Sequence, residues 1–383
     1  MNCFECMSIL PILVLRLVVW SAPCIFKHQT HYKSSIEGQL TSSRARRGGW
    51  WSGDGRDCID TRESFFVFLG FAYRKKITQE LRQFVKRLTE DMNRKGQVPA
   101  KYTAHWWQGE MPHYRSEIKD TPVVDSNMYF IILVWLLHEA DPGSIRELYL
   151  PTQRAFKWLE KHIAEDTFYE PIDSSWETTR AHQGHLLLTN VLMTKTIHSM
   201  ELIALIHNDS RMKDKCIKMH KKFVQKWQPE LYRTQEVLPR ILAVYWNIVP
   251  PAFLMSFNQE LNTIFIPLRT EGPISLSTTF RAKIRGRDDM HTDIIWPFVG
   301  FLWIITLANR MKREQANQWW ANYMEFQAPR TLHNMYCPHT GKPIRRSFLR
   351  SEAKHAATLS LFLAAKYAIE TVEKDMNQMM MPV

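Results

Sequence analysis

One carboxylate stands at the start of a long apolar stretch. Glu177 directly follows Trp176 in "DSSWETTRAHQGHLLLTNVL", residues 173–192. An aromatic neighbour that displaces water from a carboxyl group raises its pKa, which keeps a proton available near neutral pH, as a general acid requires. The alternative is helix chemistry, because the polar "DSS" could cap the following helix and Glu177 could complement its positive end.

Arginine and aspartate side chains at two other helix starts could grip hydroxyl groups. Arg56 and Asp57 lie in "SGDGRDCID", and Asp125 precedes "SNMYFIILVW". Arg offers a planar fork of donors, and a carboxylate accepts from two hydroxyls at once. Asp57 could instead join a surface ion cluster with Arg56, Asp60 and Arg62. Asp125 could instead cap its helix.

Several tryptophans could stack on the apolar face of a ligand ring, although any one of them is more often part of a core. The candidates are Trp51, Trp106, Trp107, Trp176 and Trp296. Two of the Trp pairs lie in Gly-containing loops, "GGWWSGDG" and "AHWWQGE", and loops run over the surface. His291 shares "HTDIIWP" with Trp296, where the proline starts or kinks the next helix.

Composition restricts the class of protein. The chain has 383 residues, is 45% hydrophobic, and contains 14 Trp, 12 Tyr and 20 Phe, so it can bury a large core. Its net charge of +12 would favour an acidic partner. However, the basic residues are scattered at helical spacing, as on solvated helix faces, and we expect no nucleic-acid partner. The six cysteines show neither zinc-site nor disulfide spacing, so neither metal nor cofactor is indicated.

The pattern predicts four segments along the chain. Residues 1–26 form an apolar leader that resembles a signal peptide, but Glu5 and Arg16 interrupt the expected pattern. A membrane partner is expected only if this leader is retained as an anchor, and the compartment stays open between secretory and cytoplasmic. Residues 27–48 are polar and basic, as in a linker. The folded domain is expected over 49–375, with a tail at 376–383.

From residue 49 onward the sequence predicts helices and few strands. Apolar positions recur every three or four residues over 61–74, 75–94, 126–139, 144–164, 178–207, 210–227, 291–311, 312–326 and 350–373. Loops rich in aromatic and acidic residues, which we call the decorated loops, alternate with short loops that lack such residues. Helical hairpins arranged in a ring would place every second loop on one rim, so the decorated loops could form one pocket.

An ordered set of phrases resembles the six-hairpin glycosidases, the (α/α)6 barrel superfamily. The phrases are "GRDCIDTRESF", "GQVPA", "TPVVDSNMYFIILVW", "SSWETTRAHQGHLLLTNVL", "HTDIIWPFVGFLW" and "YCPHTGKP". They are similar to segments of glucoamylases, debranching α-glucosidases, neutral invertases and mannosylglycerate-type hydrolases. The resemblance covers roughly residues 50–370 and implies an all-α toroid of hairpins. Because little precedes the "GRD" loop, part of the first hairpin is either absent or supplied by residues 7–26.

The resemblance implies a site for sugar cleavage. Glu177 falls at the position of the catalytic acid, while Arg56, Asp57 and Asp125 line the subsite of the cleaved sugar. Further substrate-binding residues are assigned as pocket walls or ligands: Trp51, Trp176, Arg180, His291 and Trp296. An inverting glycosidase also needs a carboxylate about 6.5–9.5 Å from the acid, so that water fits between them.

The sequence departs from the family where that second carboxylate is expected. Asn334 occupies the position, and an amide cannot take a proton from water at neutral pH. Three explanations stay open: another carboxylate (Glu352, Asp288, Asp289 or Asp293) substitutes, the protein binds carbohydrate without cleaving it, or phosphate is the nucleophile. The expectation is an inverting hydrolase of an α-linked glucoside or similar oligosaccharide. The exact sugar and the oligomeric state do not follow from the residues.

Overall fold

The computed structural model describes residues 36–45, 48–51, 58–74, 79–105, 109–116, 120–171, 184–234, 236–264, 296–310, 312–326 and 355–379, and a few positions between 332 and 350. Twelve α-helices lie within these residues. They are α1 (Ile36–Ser42), α2 (Thr61–Tyr73), α3 (Gln79–Glu90), α4 (Asp125–Ala140), α5 (Tyr149–Glu160), α6 (Leu187–Ile206), α7 (Ser210–Leu231), α8 (Val237–Tyr245), α9 (Pro251–Ile264), α10 (Pro297–Asn309), α11 (Arg313–Phe326) and α12 (Ala356–Met379).

The even-numbered helices form the interior. Every residue of α10 except Asn309 is buried, and the first ten residues of α4, from Asp125 to Val134, are buried as well. A helix that is apolar all round cannot face water on any side. The even-numbered helices are therefore the inner layer of the fold.

The odd-numbered helices are mostly amphipathic and form the outer layer. In α3 the buried apolar residues are Leu81, Phe84, Val85 and Leu88, at the three- and four-residue spacing of one helix face. In α7, which begins at Ser210, a single stripe is buried and the other faces are basic. Such helices cover the inner layer and leave their charged faces in water.

The six inner helices close into a ring. Each contacts the next in the order α2, α4, α6, α8, α10 and α12, and α12 contacts α2. At the closure the hydroxyl of Ser360 in α12 donates a hydrogen bond of 2.7 Å to the carbonyl of Val67 in α2. Gly70 of α2 allows this approach, because a Cβ there would lie 2.4 Å from Ser360 Oγ. The predicted all-α toroid of helical hairpins is confirmed.

The connections differ at the two ends of the ring. The chain enters most inner helices through long connections (43–60, 91–124, 161–186, 265–296 and 327–355), with a short one at 232–236. It leaves them through short connections (74–78, 141–148, 207–209, 246–250 and 310–312). We call the end with the first turns of the inner helices the loop rim and the opposite end the turn rim. Every decorated loop of the sequence falls in a loop-rim connection.

The short strands that the structure describes all belong to loop-rim connections. They are β1 (Cys58–Asp60), β2 (Lys101–His105), β3 (Gly109–His113), β4 (Ile163–Ala164), β5 (Thr167–Phe168), β6 (Arg345–Arg346) and β7 (Leu349–Arg350). The first three form an antiparallel sheet in the order β1-β2-β3, and the other four form two-stranded hairpins. These strands give the long connections backbone hydrogen bonds that a bare loop would lack.

Several predicted boundaries differ from the structure. Helix α1 lies inside the predicted linker 27–48, and its Leu40 is buried against the core, so the linker prediction is wrong there. This helix contacts α12 and supplies the outer helix of the first hairpin. Helix α12 extends to Met379, past the predicted domain end. The predicted leader lies outside the described residues.

Two helices besides α1 were missing from the sequence prediction. Helices α8 and α9 occupy a region, 228–290, in which no helix was predicted. In the part of the chain that the structure describes, no helix is both long and apolar enough to cross a bilayer.

Candidate functional site

The structure describes three of the predicted site residues, namely Trp51, Asp125 and Trp296. The others lie outside the described residues: Arg56, Asp57, Trp176, Glu177, Arg180 and His291. The same holds for Trp106, Trp107 and Asn334, and for the alternative bases Asp288, Asp289, Asp293 and Glu352. Their roles remain predictions.

Asp125 binds an arginine of the neighbouring inner helix. Nε and Nη2 of Arg62 donate to Asp125 Oδ2 at 2.8 and 2.7 Å, and the two side chains are 16% and 3% exposed. Asp125 is the first residue of α4, where the N-cap position belongs to Val124 without a side-chain cap. Hydrogen bonds from the backbone N–H groups of Asp125 and Ser126 nevertheless lower the pKa of this carboxylate, as at a helix start. The carboxylate also joins the first turns of α2 and α4 through Arg62.

Asp60 completes this buried cluster. Its Oδ1 accepts hydrogen bonds from the backbone N–H groups of Arg62 and Glu63, at 2.8 and 3.2 Å, and so caps α2. Asp60 and Arg62 thus lie together with Asp125. The surface ion cluster that the sequence suggested also includes Arg56 and Asp57, which lie outside the described residues.

Burial dominates the protonation of this cluster. It raises the pKa of Asp125 and of Asp60 above their ordinary values, and the positive charge of Arg62 opposes that rise in both. Burial lowers the pKa of the Arg62 guanidinium, but the Asp125 and Asp60 carboxylates outweigh it, so the pKa of Arg62 is raised. Arg62 is therefore a permanently charged group at the loop rim.

A second polar contact links the first and last inner helices. His355 Nε2 lies 3.2 Å from Glu63 Oε1, and their side chains are 7% and 17% exposed. On its other side, His355 Nδ1 lies 3.0 Å from Thr358 Oγ1 and accepts the backbone N–H of Thr358 at 3.4 Å. The pair therefore lies where α12 meets α2.

Aromatic rings fill the ring interior beneath these polar groups. Phe66 of α2 and Phe298 of α10 have ring centroids 5.5 Å apart, although α2 and α10 are not neighbours in the ring. Tyr129 of α4 lies 4.6 Å from Phe65 and 6.3 Å from Phe66. Burial raises the pKa of Tyr129 well above its usual value, so the phenol stays neutral. These rings form an apolar floor.

The two described tryptophans among the predicted walls are partly buried. Trp296 is the N-cap residue of α10, packs against the core and lies 5.6 Å from Phe298, nearly edge-on. Trp51 pairs through its backbone with Ile59 and also packs on the core. Each ring therefore contributes to packing. Contact with a ligand stays a prediction for both.

Glu170, whose side chain is buried, pairs through its backbone with Gly184, on the other side of the segment that contains Glu177. The backbones of Glu170 and Gly184 exchange two hydrogen bonds, of 2.7 and 2.9 Å. The Glu170 side chain is fully buried and accepts a hydrogen bond from the hydroxyl of Thr189, in the first turn of α6. Glu170 and Gly184, which precede and follow residues 172–183 in the chain, are thus paired at the loop rim.

Sequence reasoning missed Glu63, Glu170 and His355, and treated Arg62 only as an alternative partner of Asp57. The available signal was the phrase "DTRES", in which three charged residues precede an apolar helix, but their partners come from distant segments. Within the described ranges, no group of His, Cys, Asp or Glu is arranged to hold a metal ion.

The ring of hairpins and its loop rim define the fold of the six-hairpin glycosidases. No family model matches the sequence, and no curated protein matches it either. Solved structures do match. A GH63 mannosylglycerate hydrolase from Thermus thermophilus, in complex with glucose, is similar with a TM-score of 0.60 at 11% identity, over 86% of this chain and 98% of that one.

Two further structures have the same fold. A wild-type glycosidase gives a TM-score of 0.60 at 10% identity, over 88% of this chain and 96% of that one. A rhamnosidase from Klebsiella oxytoca with rhamnose bound gives 0.57 at 13% identity, over 87% of this chain. The match spans 63% of the rhamnosidase, less than two thirds of its length. At such identities the likeness establishes the fold alone.

Proposed function

We propose that the protein is a glycoside hydrolase that cleaves an α-linked glucoside or similar oligosaccharide with inversion, using Glu177 as the general acid. One observation carries the proposal. The first turns of α2, α4 and α12 meet at the loop rim and bring the Arg62–Asp125 and Glu63–His355 pairs together above an aromatic floor. Charged hydrogen-bonding groups beside flat rings suit a sugar, which has hydroxyl edges and apolar faces.

The reaction requires an acid on one side of the sugar and an activated water on the other. Glu177 would donate its proton to the leaving oxygen while water attacks the anomeric carbon from the opposite face. The attachment of residues 172–183 at the Glu170–Gly184 pair supports this role, since it ties the segment with Glu177 to the start of α6.

The binding of the substrate is assigned to the loop rim. Asp125 is 3% exposed and engaged by Arg62, so its part is mainly to hold the more exposed guanidinium in place. The remaining ligands and walls are Trp51, Arg56, Asp57, Trp176, Arg180, His291 and Trp296. The neighbours whose names mention glucose or rhamnose support a carbohydrate ligand without specifying which one.

Reducing-sugar release tests the proposal. Purified protein is incubated with α-glucans, sucrose, trehalose and mannosylglycerate, and product anomers are followed by NMR. Replacing the acid, Glu177→Gln, is expected to lower kcat by about 10²- to 10⁴-fold on the active substrate. The matched control is Glu165→Gln, in the exposed turn between β4 and β5, which is expected to leave kcat unchanged.

Other outcomes would revise the function. A sugar that raises the melting temperature without being cleaved would favour a carbohydrate-binding protein, the interpretation that Asn334 suggests. Turnover only with inorganic phosphate would favour a phosphorylase. If no sugar is cleaved and none shifts the melting temperature, the carbohydrate proposal is wrong.

A further inference from the structure

A cavity of about 240 Å³ opens at the turn rim, between the α8–α9 hairpin and the end of α10. It lies where the short connections 246–250 and 310–312 meet. The inner helices α8 and α10 end there, whereas the sugar site is proposed at the rim where they begin. These helices have 9 and 13 residues, so about 14–20 Å of helix separates the two places.

The walls of the cavity are apolar. They come from the end of α8, the connection after it and the first turns of α9: Val244, Val249, Pro250, Pro251, Leu254 and Met255. Met255 is 55% exposed, whereas Val244 and Leu254 are buried, so the cavity leads from solvent toward the apolar interior. The two consecutive prolines restrict the backbone of this wall, which favours a cavity that is already formed without a ligand.

Two cationic side chains, Arg310 and Lys312, complete the lining. Nη2 of Arg310 donates to the carbonyl of Val244 at 2.5 Å, which holds the guanidinium against the end of α8. This contact uses one of the five N–H groups of the guanidinium. Among the described residues, neither Arg310 nor Lys312 is paired with a carboxylate.

The surroundings of Arg310 differ from those of the arginines elsewhere that pair with acids. Arg62 binds Asp125, and Arg87 binds Glu110 at 2.7 Å. Partial burial lowers the pKa of Arg310, and no carboxylate of the described residues offsets that effect. A cation that is partly removed from water is stabilised by a counter-charge. The cavity therefore suits a ligand that supplies a negative charge.

The volume and the walls restrict the kind of anion. A water molecule takes up about 30 Å³ of liquid, so the cavity has room for about eight non-hydrogen atoms. The fork of an arginine matches the two oxygens of a carboxylate. The apolar walls suit a hydrocarbon chain, whereas the hydroxyl groups of a sugar would be left unpaired against them.

We propose that this turn-rim cavity binds a short aliphatic carboxylate of about six carbons, with Arg310 and Lys312 on the carboxylate and the α8–α9 wall around the chain. The inference does not depend on the proposed hydrolase function, since none of the residues that line the cavity belongs to the loop rim.

Isothermal titration calorimetry with sodium hexanoate, which has eight non-hydrogen atoms, tests the proposal. We expect a Kd on the order of 0.1–1 mM. From acetate to hexanoate, each added methylene should tighten binding by about two- to fourfold. Decanoate should gain little more, because its longer chain would extend into solvent. Hexan-1-ol and hexylamine lack the carboxylate and should bind about tenfold more weakly or not at all.

Three variants locate the binding. Arg310→Gln should raise the Kd for hexanoate about tenfold or more, and Lys312→Gln about three- to fivefold. Arg310 also contacts α8, so Lys312→Gln, which leaves that contact in place, is the decisive variant. The matched control is Lys218→Gln on the exposed face of α7, which changes the net charge equally and should leave the Kd unchanged.

Three results would overturn the proposal. The first is the absence of binding at a hexanoate concentration roughly ten times the expected Kd. The second is an equal loss of affinity in Lys312→Gln and Lys218→Gln, which would show that the overall net charge of +12 attracts the anion. The third is acetate binding as tightly as hexanoate, because the apolar walls would then take no part. None of these results bears on sugar cleavage.

Discussion

The loop rim and the turn rim each contain an Arg–Asp pair, in opposite surroundings. At the loop rim, Arg62 and Asp125 are 16% and 3% exposed. At the turn rim, Arg82 of α3 binds Asp141, which follows α4, and these side chains are 60% and 37% exposed. Both pairs join the same kinds of group. Only the pair at the loop rim is largely shielded from solvent.

The difference is informative because burying an ion pair is costly. Desolvation of two charges can exceed their mutual attraction, so a buried pair is weak evidence for stability. An exposed pair contributes little either way. The position of the Arg62–Asp125 pair, at the rim with long connections, accords with the substrate site proposed there.

The largest expected effect comes from removing one member of the buried pair. Asp125→Ala leaves the Arg62 guanidinium buried without its counter-charge, and we expect the free energy of unfolding to fall by about 3–5 kcal/mol. Urea titration followed by circular dichroism measures this. Replacing both residues, as Arg62→Met with Asp125→Leu, should cost much less than Asp125→Ala. Equal losses would show that packing, rather than the unpaired charge, dominates.

The next effect tests the helix contacts that close the ring. In Gly70→Ala the new Cβ would lie 2.8 Å from the backbone oxygen of Ser360, which can move only with α12. We expect a loss of about 1–3 kcal/mol. In the control variant Gly143→Ala, in the exposed connection between α4 and α5, the new Cβ would lie 3.8 Å from Asp141 Oδ1, an ordinary van der Waals contact. Thermal unfolding should therefore rank Gly70→Ala as the more damaging, and the reverse order would contradict the ring closure described above.

A smaller effect concerns pH and the imidazoles between α6 and α7. Burial lowers the pKa of His198 and His220 below the ordinary 6.5, Lys195 lowers both further, His198 also lowers that of His220, and Glu201 opposes these effects. Below about pH 6.5 the unfolded chain then binds more protons than the folded one. Stability that is fully present above that pH should decline as the pH falls through it.

The variant His220→Gln isolates this effect. Its free energy of unfolding should depend less on pH than that of wild type between about pH 5 and 7, and the two slopes should agree near pH 8, where the imidazoles are neutral in both states. Subtracting the pH dependence of the variant from that of wild type removes the contributions of Asp60 and Asp125, because their raised pKa values affect both proteins. If the free energies of unfolding of the two proteins depend on pH in the same way over the whole range, His220 is not a partly buried, neutral imidazole.

The smallest effect is expected at the exposed pair. Arg82→Ala should change the free energy of unfolding by no more than about 1 kcal/mol, and added salt should reduce the difference further. The same urea titration serves as the measurement. A loss as large as that of Asp125→Ala would remove the distinction between the rims.

The sequence predicted the architecture because the pattern of helices is local. Apolar spacing identified most of them, and the alternation of decorated and plain connections identified the rim at which the inner helices begin. Helices α8 and α9 were missed, and both contain proline. Pro239 lies in the first turn of α8 and Pro251 starts α9, positions where proline lacks no helical hydrogen bond.

The candidate site was only partly predictable. Asp125 was selected for its chemistry, but its partner Arg62 depends on the packing of two inner helices. Glu63 and His355 meet because the last inner helix returns to the first, and nothing in either local sequence indicates that contact. Residues that act as a pair across the ring become visible only once the ring is closed.

That closure also sets an order on folding. The hydrogen bond between Ser360 and Val67 spans 293 positions of the chain, so the apolar sides of α2 and α10 have no cover until the last helix is synthesised. A chain cut before α12 would present those surfaces to water and would be prone to aggregate. We therefore expect nascent chains to expose these apolar surfaces until α12 has been synthesised.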